Sequence, residues 1–225
     1  MHAIEAARKF FEESNVSGFD KIKDNPQLIG RLFFGIYSSR QFDALKYLYL
    51  EKFIPESEKM DKGVNIELKK SEVSELLNLQ SKVKYETIRF GYVSLYHKYE
   101  NFIRELYRYL EKEFSEKIDI NKLIEKRFGF NIMKPNCGIG YKVAWICDCV
   151  KHQNGIASKR NNPPKEFMKY PKGKEIEIEP DEFERDCDTL RTLVVYIFLA
   201  TNMLEASIPD SLNLLEPMFD KIKEL

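Results

Sequence analysis

Cysteine is sparse in this 225-residue chain, which has four: Cys137, Cys147, Cys149 and Cys187. None sits in a CxxC pair, so the sequence holds neither a zinc knuckle nor a dithiol redox motif, and a reducing compartment is expected. A net charge is missing too. The 36 basic residues balance 36 acidic ones, which removes any global electrostatic argument for a nucleic acid or an anionic membrane. Apolar runs are short. The longest, LVVYIFLA at 193–200, falls far below the roughly 18 residues a membrane span needs, and no basic-then-apolar leader opens the sequence. A cytoplasmic protein without a membrane partner is expected. The sequence also lacks a phosphate-cradling GxxxxGK, a Rossmann glycine set, HExxH and GxSxG, so neither cofactor nor metal is expected.

A hydrophobic content of 43%, of which aromatics are a large part, allows a proper core without staples. The first 60 residues read as short helices joined by turns: EAARKFFEE, then QLIGRLFFGIYSS after Pro26, then QFDALKYLYLEKF before Pro55. PESEKMDKGVNIELKK, residues 55–70, reads as a charged connector, with VNIEL too short for more than an isolated strand. From Ser71 the period lengthens. Val73, Leu76, Leu77, Ile88, Tyr92, Leu95, Tyr96, Tyr99, Phe102, Ile103, Leu106 and Leu110 recur at steps of three and four, predicting a helix to about Glu113 with a break near 78–82 or a kink at Gly91. A short helix INKLIEKRFG follows, ending at Gly129, and NCGIGYK at 136–142 reads as a turn leading into the helix YKVAWICDCVKHQN. A polar stretch with paired prolines precedes a helix from about Pro180 to Ala206, opened by carboxylates that suit a helix N-terminus, and SLNLLEPMFDKIKEL closes the chain. The expected fold is all-α, an up-and-down helical bundle over 71–225 with an additional N-terminal helical section and connector at 1–70.

Chemistry concentrates on the stretch CDCVKHQNG, residues 147–155. Asp148 stands four residues before His152, Cys149 three before and Trp145 seven before, so all are expected on one side of a helix. A carboxylate at that spacing holds one imidazole nitrogen and leaves the other for a substrate, the arrangement of a general acid or base. The same pair can also satisfy itself at a helix surface. Cys149 with His152 is a conceivable metal pair, but Cys147 and Cys149 point about 200° apart on a helix and cannot share an ion. His97, with Glu100, is a further polar candidate that ordinary packing beside Tyr96 explains equally well.

SLYHKYENFIREL on a long aromatic-rich helix, followed by CDCVKHQNG and a long closing helix, resembles the HEPN superfamily of helical-bundle proteins. Many of that superfamily cleave RNA without a metal in toxin, antitoxin, defence and RNA-processing systems. Its signature is an Arg followed by a polar residue and, a few residues on, a His with an Asn- and Gly-containing flank. His152 matches the histidine, Asp148 the polar residue, and Gln153, Asn154 and Gly155 the flank. Cys147 stands where the Arg is expected. The resemblance implies a HEPN-like bundle, a homodimer, a protein partner, and single-stranded or hairpin RNA as ligand. Cleavage of this kind is attack of a ribose 2′-hydroxyl on the adjacent phosphate, which needs a proton-transferring group and a fixed cation. His152 fits the first role. Lys151 is the nearest cation in sequence, with Arg89, Lys98 and Arg104 as alternatives from the long helix, and Asn154 completes the candidate set.

Local charge agrees with a polyanionic ligand. Between Lys142 and Lys174 eight basic residues face two acidic ones, a net of +6, with Phe167 and Tyr170 interleaved as possible base-stacking rings. From Glu175 to Asp188 eight acidic residues oppose Arg185, a net of −7. The two segments can therefore also pair with each other. A non-catalytic interaction or dimerisation module of the same fold is the alternative function.

Overall fold

The computed structural model describes residues 8, 9, 12, 24, 26–68, 82–113, 138–157 and 169–203. Within them the chain is all-α and mostly helical: α1 (Pro26–Leu48), a π-helical turn (Tyr49–Phe53), α2 (Ile54–Leu68), α3 (Val83–Glu113), α4 (Gly138–Gln153) and α5 (Pro180–Met203). Extended structure among the described residues is confined to one antiparallel bridge, Ile156 to Glu175. The helices expected at 120–129 and 211–225, and most of the one at 5–13, lie outside the described residues, as do Cys137 and Phe167.

Two sequence expectations are corrected in the first half of the chain. Ser38 and Ser39 do not break α1. Both are buried, and the Ser39 hydroxyl donates to the Ile36 carbonyl at 2.9 Å, so the helix satisfies its own serine. Nor are residues 55–68 a connector, because α2 runs through them with Pro55 in its first turn. Proline ends a helix when its ring meets the carbonyl four residues back and its missing N–H leaves that carbonyl unbonded. Here Ile54, helical at φ −65 and ψ −48, donates to Tyr49, five residues back. The wider π turn carries the chain past the proline without leaving the helix.

α3 starts at Val83, in line with a break near 78–82. Its first turn is capped from a distance: Asp61 of α2 accepts the N–H groups of Val83 and Lys84, each at 2.8 Å. α3 runs unbroken through Gly91. Glycine serves close approach there. A Cβ at Gly91 would lie 2.8 Å from the Phe183 ring and 3.2 Å from Tyr49. NCGIGYK is helical from Gly138 onward and not only a turn.

The chain divides into two compact units, one of residues 1–43, 98–140 and 188–225, the other of 44–97 and 141–187. The first is held by apolar contact. Phe34 stacks on Phe102 at 6.1 Å and meets Phe198 at 6.2 Å, with Ile103, Leu106, Leu190, Val194 and Ile197 buried. Each such side chain removed from water is worth about 1.5–3 kcal/mol. Polar contacts lie at its margin: Lys98 to Gln41 at 2.9 Å, and Arg191 Nε 3.0 Å from Asp43, aligned as an ion pair and not as a hydrogen bond.

The second unit mixes apolar burial with buried charge. Phe183 packs edge-on against Tyr92 and Tyr49 at 5.3 and 5.6 Å, and Ile88, Leu95, Val143, Ile146, Cys147, Cys149 and Cys187 are buried. The three cysteines are free thiols. On α5, Phe183, Cys187, Leu190, Val194, Ile197 and Phe198 are buried, and so are Asp186, Leu193, Val195 and Tyr196. No helix among the described residues is long and apolar enough to cross a membrane.

Candidate functional site

α4 ends in the HQNG turn for local reasons. Asn154 adopts φ 52 and Gly155 φ 76, two successive left-handed residues, a conformation asparagine tolerates and glycine adopts freely. They reverse the chain so that Gly155 N–H reaches back to the Cys149 carbonyl at 3.0 Å. Residues 155–157 then run antiparallel to 173–176: Ala157 N–H donates to Lys174, Gly173 N–H to Ala157, and Ile176 N–H to Gly155, all at 2.8–3.0 Å. This pairing brings the Lys172–Gly173–Lys174 turn beside the end of α4.

His152 and Asp148 lie on the same exposed side of α4, 64% and 55% exposed, with Nε2 3.9 Å from Oδ1. That separation is too long for a hydrogen bond, so Asp148 is a loose neighbour of the imidazole and not a fixed support. Lys151, Asn154, Lys172 and Lys174 are also exposed. The exposed charged groups of these segments are thus one imidazole and three ammonium groups beside Asp148 and Glu175, the latter drawn toward Lys82 and Arg89. Cys147, where the Arg was expected, is 2% exposed and points into the core.

Of the alternative cations, Lys98 donates to Gln41, and Arg104 pairs with Glu100 at 3.3 Å on its own helix. Arg89 is the one that reaches the HQNG turn. Its side chain is 6% exposed, Nη1 donates to the Ile176 carbonyl at 3.3 Å, and Glu175 and Glu86 stand at 3.7 and 3.8 Å. A Cβ at Gly155 would lie 2.8 Å from its Nε and 2.9 Å from its Cδ, so glycine at 155 makes room for the guanidinium as well as for the turn.

Tyr170 is not a stacking platform. It is buried, stacks on Trp145 at 6.0 Å and donates its hydroxyl to Glu182 at 2.6 Å. Desolvation and that carboxylate push its phenol far above the usual range. Glu182 is a hub. It also accepts Lys142 at 2.7 Å and Lys169 at 2.5 Å, while Lys142 reaches Asp186, which in turn accepts the Tyr92 hydroxyl. Burial alone would raise the Glu182 pKa, but the bonds from Lys142, Lys169 and Tyr170 outweigh it and hold the carboxyl down to about 2. On the other flank Lys82 pairs with Glu177 at 2.5 Å and Glu175 at 3.5 Å, and Lys84 with Glu179 at 3.0 Å. Lys142 and Lys169 of the basic stretch thus pair with the acidic stretch, leaving Lys151, Lys172 and Lys174 as its described lysines on the turn surface. Residues 158–168 of that stretch lie outside the described residues.

His97 is exposed, its ring 6.2 Å from Tyr96. Among the described residues no group of three or more histidine, cysteine, aspartate or glutamate side chains is placed to hold a metal ion. The pairing of the basic and acidic segments was foreseen as an alternative, but the sequence did not single out Lys142 as its centre and gave no reason to prefer Arg89. The signal was available: Arg89 and Lys142 each fall three residues before a buried aromatic, Tyr92 and Trp145, and so lie on an inward face.

No family model, no curated protein and no solved structure matches the chain.

Proposed function

We propose that this chain is a divergent HEPN-like RNA-binding protein that contacts phosphate through the turn at the end of α4 and acts as a metal-independent endoribonuclease in a toxin or defence setting. The observation that carries the reading is the open position of His152 beside Asp148, with Lys151 one residue away and Lys172 and Lys174 brought alongside by the pairing of 155–157 with 173–176. An exposed imidazole can transfer the 2′-hydroxyl proton, and ammonium groups around it can steady the added charge on phosphate. Asn154 holds the turn. Homodimerisation belongs to the same proposal, through the resemblance alone.

A second reading, a non-catalytic interaction module of the same fold, is favoured by one specific finding. The motif position Cys147 is buried, and the one arginine that reaches the turn is itself enclosed. Lysine point charges lack the two-pronged fit of a guanidinium to a phosphate.

Incubating wild type and His152→Ala with labelled single-stranded and hairpin RNAs in EDTA separates the two. Cleavage by wild type alone, leaving 2′,3′-cyclic phosphate ends, is the expected result. Retarded but intact RNA selects the non-catalytic reading, and neither binding nor cleavage across several RNAs removes RNA from the account.

A further inference from the structure

The cationic surface is assembled from two segments about twenty residues apart in sequence, and what clamps them together comes from a third. Arg89, on α3, places its guanidinium against the backbone of Gly155 on one side and the carbonyl of Ile176 on the other. Those two residues are also joined directly, Ile176 N–H to Gly155 O at 2.8 Å. None of the arginine's polar contacts is tight. Among the described residues they are one hydrogen bond at 3.3 Å and two carboxylates at 3.7–3.8 Å, on a side chain that is 6% exposed. A lone buried ion pair would be expected to close to hydrogen-bonding distance with its carboxylate. Shape explains the arrangement better, with a flat guanidinium filling the space left by the absent Cβ of Gly155 and fixing how far segment 173–176 stands from the turn.

We propose that Arg89 is a positioning residue that holds the HQNG turn and the Lys172–Lys174 turn as one phosphate-binding surface. Its own charge is neutralised by Glu86 and Glu175, so it does not itself bind phosphate. This rests on the reading of that surface as nucleic-acid-binding, yet the clamp can be measured without any nucleic acid. In Arg89→Met the stem length is kept while the planar head and its charge are lost. Amide hydrogen exchange at Ala157, Gly173 and Ile176, whose N–H groups make the pairing, then rises by about ten-fold or more, while Leu95 and Cys187 in the same unit keep wild-type protection.

A fluorescein-labelled hairpin RNA of mixed sequence supplies the second readout. Three lysines acting together give log Kd against log salt a slope of about 2.7 in magnitude, and loss of the Lys172–Lys174 turn from the surface lowers it to about 0.9. A purely structural role weakens binding without changing how many ions are displaced. Should Arg89→Met fail to fold, Arg89→Lys, which keeps the charge but loses the planar head, gives the same local exchange pattern. Unchanged exchange at the three amides, or a rise shared equally by Leu95 and Cys187, overturns the proposal. Wild type that binds no hairpin removes the functional reading, and the exchange result still decides the clamp.

Discussion

At Lys142, near the start of α4, two carboxylates, a second lysine and two phenols close around one ammonium, whereas some three turns on, at His152, the same helix holds an imidazole and a carboxylate that do not quite touch. The first cluster is saturated, since every group in it is engaged by another. It can lock helices together but has no valence left for a ligand. The second is exposed, and His152 and Asp148 stand too far apart to hydrogen-bond to each other. The comparison teaches that charge density alone does not mark a site. What distinguishes the second is exposed charge whose two members do not bond to each other.

The largest effect that would test this contrast is expected at the closed end. Lys142→Met removes the cation of buried Asp186, while Glu182 keeps Lys169 and Tyr170, and leaving a buried carboxylate without its cation costs about 3 kcal/mol, read as a lower urea midpoint. A change under about 0.5 kcal/mol would mean that water, and not Lys142, already compensates Asp186.

Acid sharpens the same point. Glu182 titrates from about 4.5 in the unfolded chain to about 2 in the fold, so its contribution is complete above 4.5 and drains away as pH falls between those values. Thermal stability should decline across that window in wild type, and more shallowly in Glu182→Gln.

The smallest effect belongs to the open end. His152→Ala should move stability by no more than about 0.5 kcal/mol in either direction, as for an exposed side chain without a tight partner, while abolishing any cleavage. A large loss of stability would place His152 among the residues that build the fold.

What could be read in the sequence follows from how local each cause is. The inward faces of α3 and α5 were legible because a period of three to four needs only neighbours along the chain: Ile88, Tyr92, Leu95, Phe102, Ile103 and Leu106 are buried as that period requires. The end of α4 was legible in Asn154–Gly155 for the same reason. α2 was not, because Pro55 and a charged composition carry the ordinary marks of a connector and the π turn that defeats them has no sequence signature. The His152 turn was named from its motif, but its surroundings were hidden. Arg89 and Gly155 are distant in sequence, as are Lys142 and Asp186, and no window along the chain brings either pair together.

The π turn also carries a consequence for how this sequence can change. Its surplus residue and Pro55 each harm a regular helix alone, the one by widening it and the other by obstructing it, yet side by side they cancel. Deleting exposed Glu51 or Lys52 would restore regular winding straight into the proline's ring, and replacing Pro55 would leave a bulge with nothing to bypass. The two features form a compensated pair, which drift can keep or lose together far more readily than one at a time.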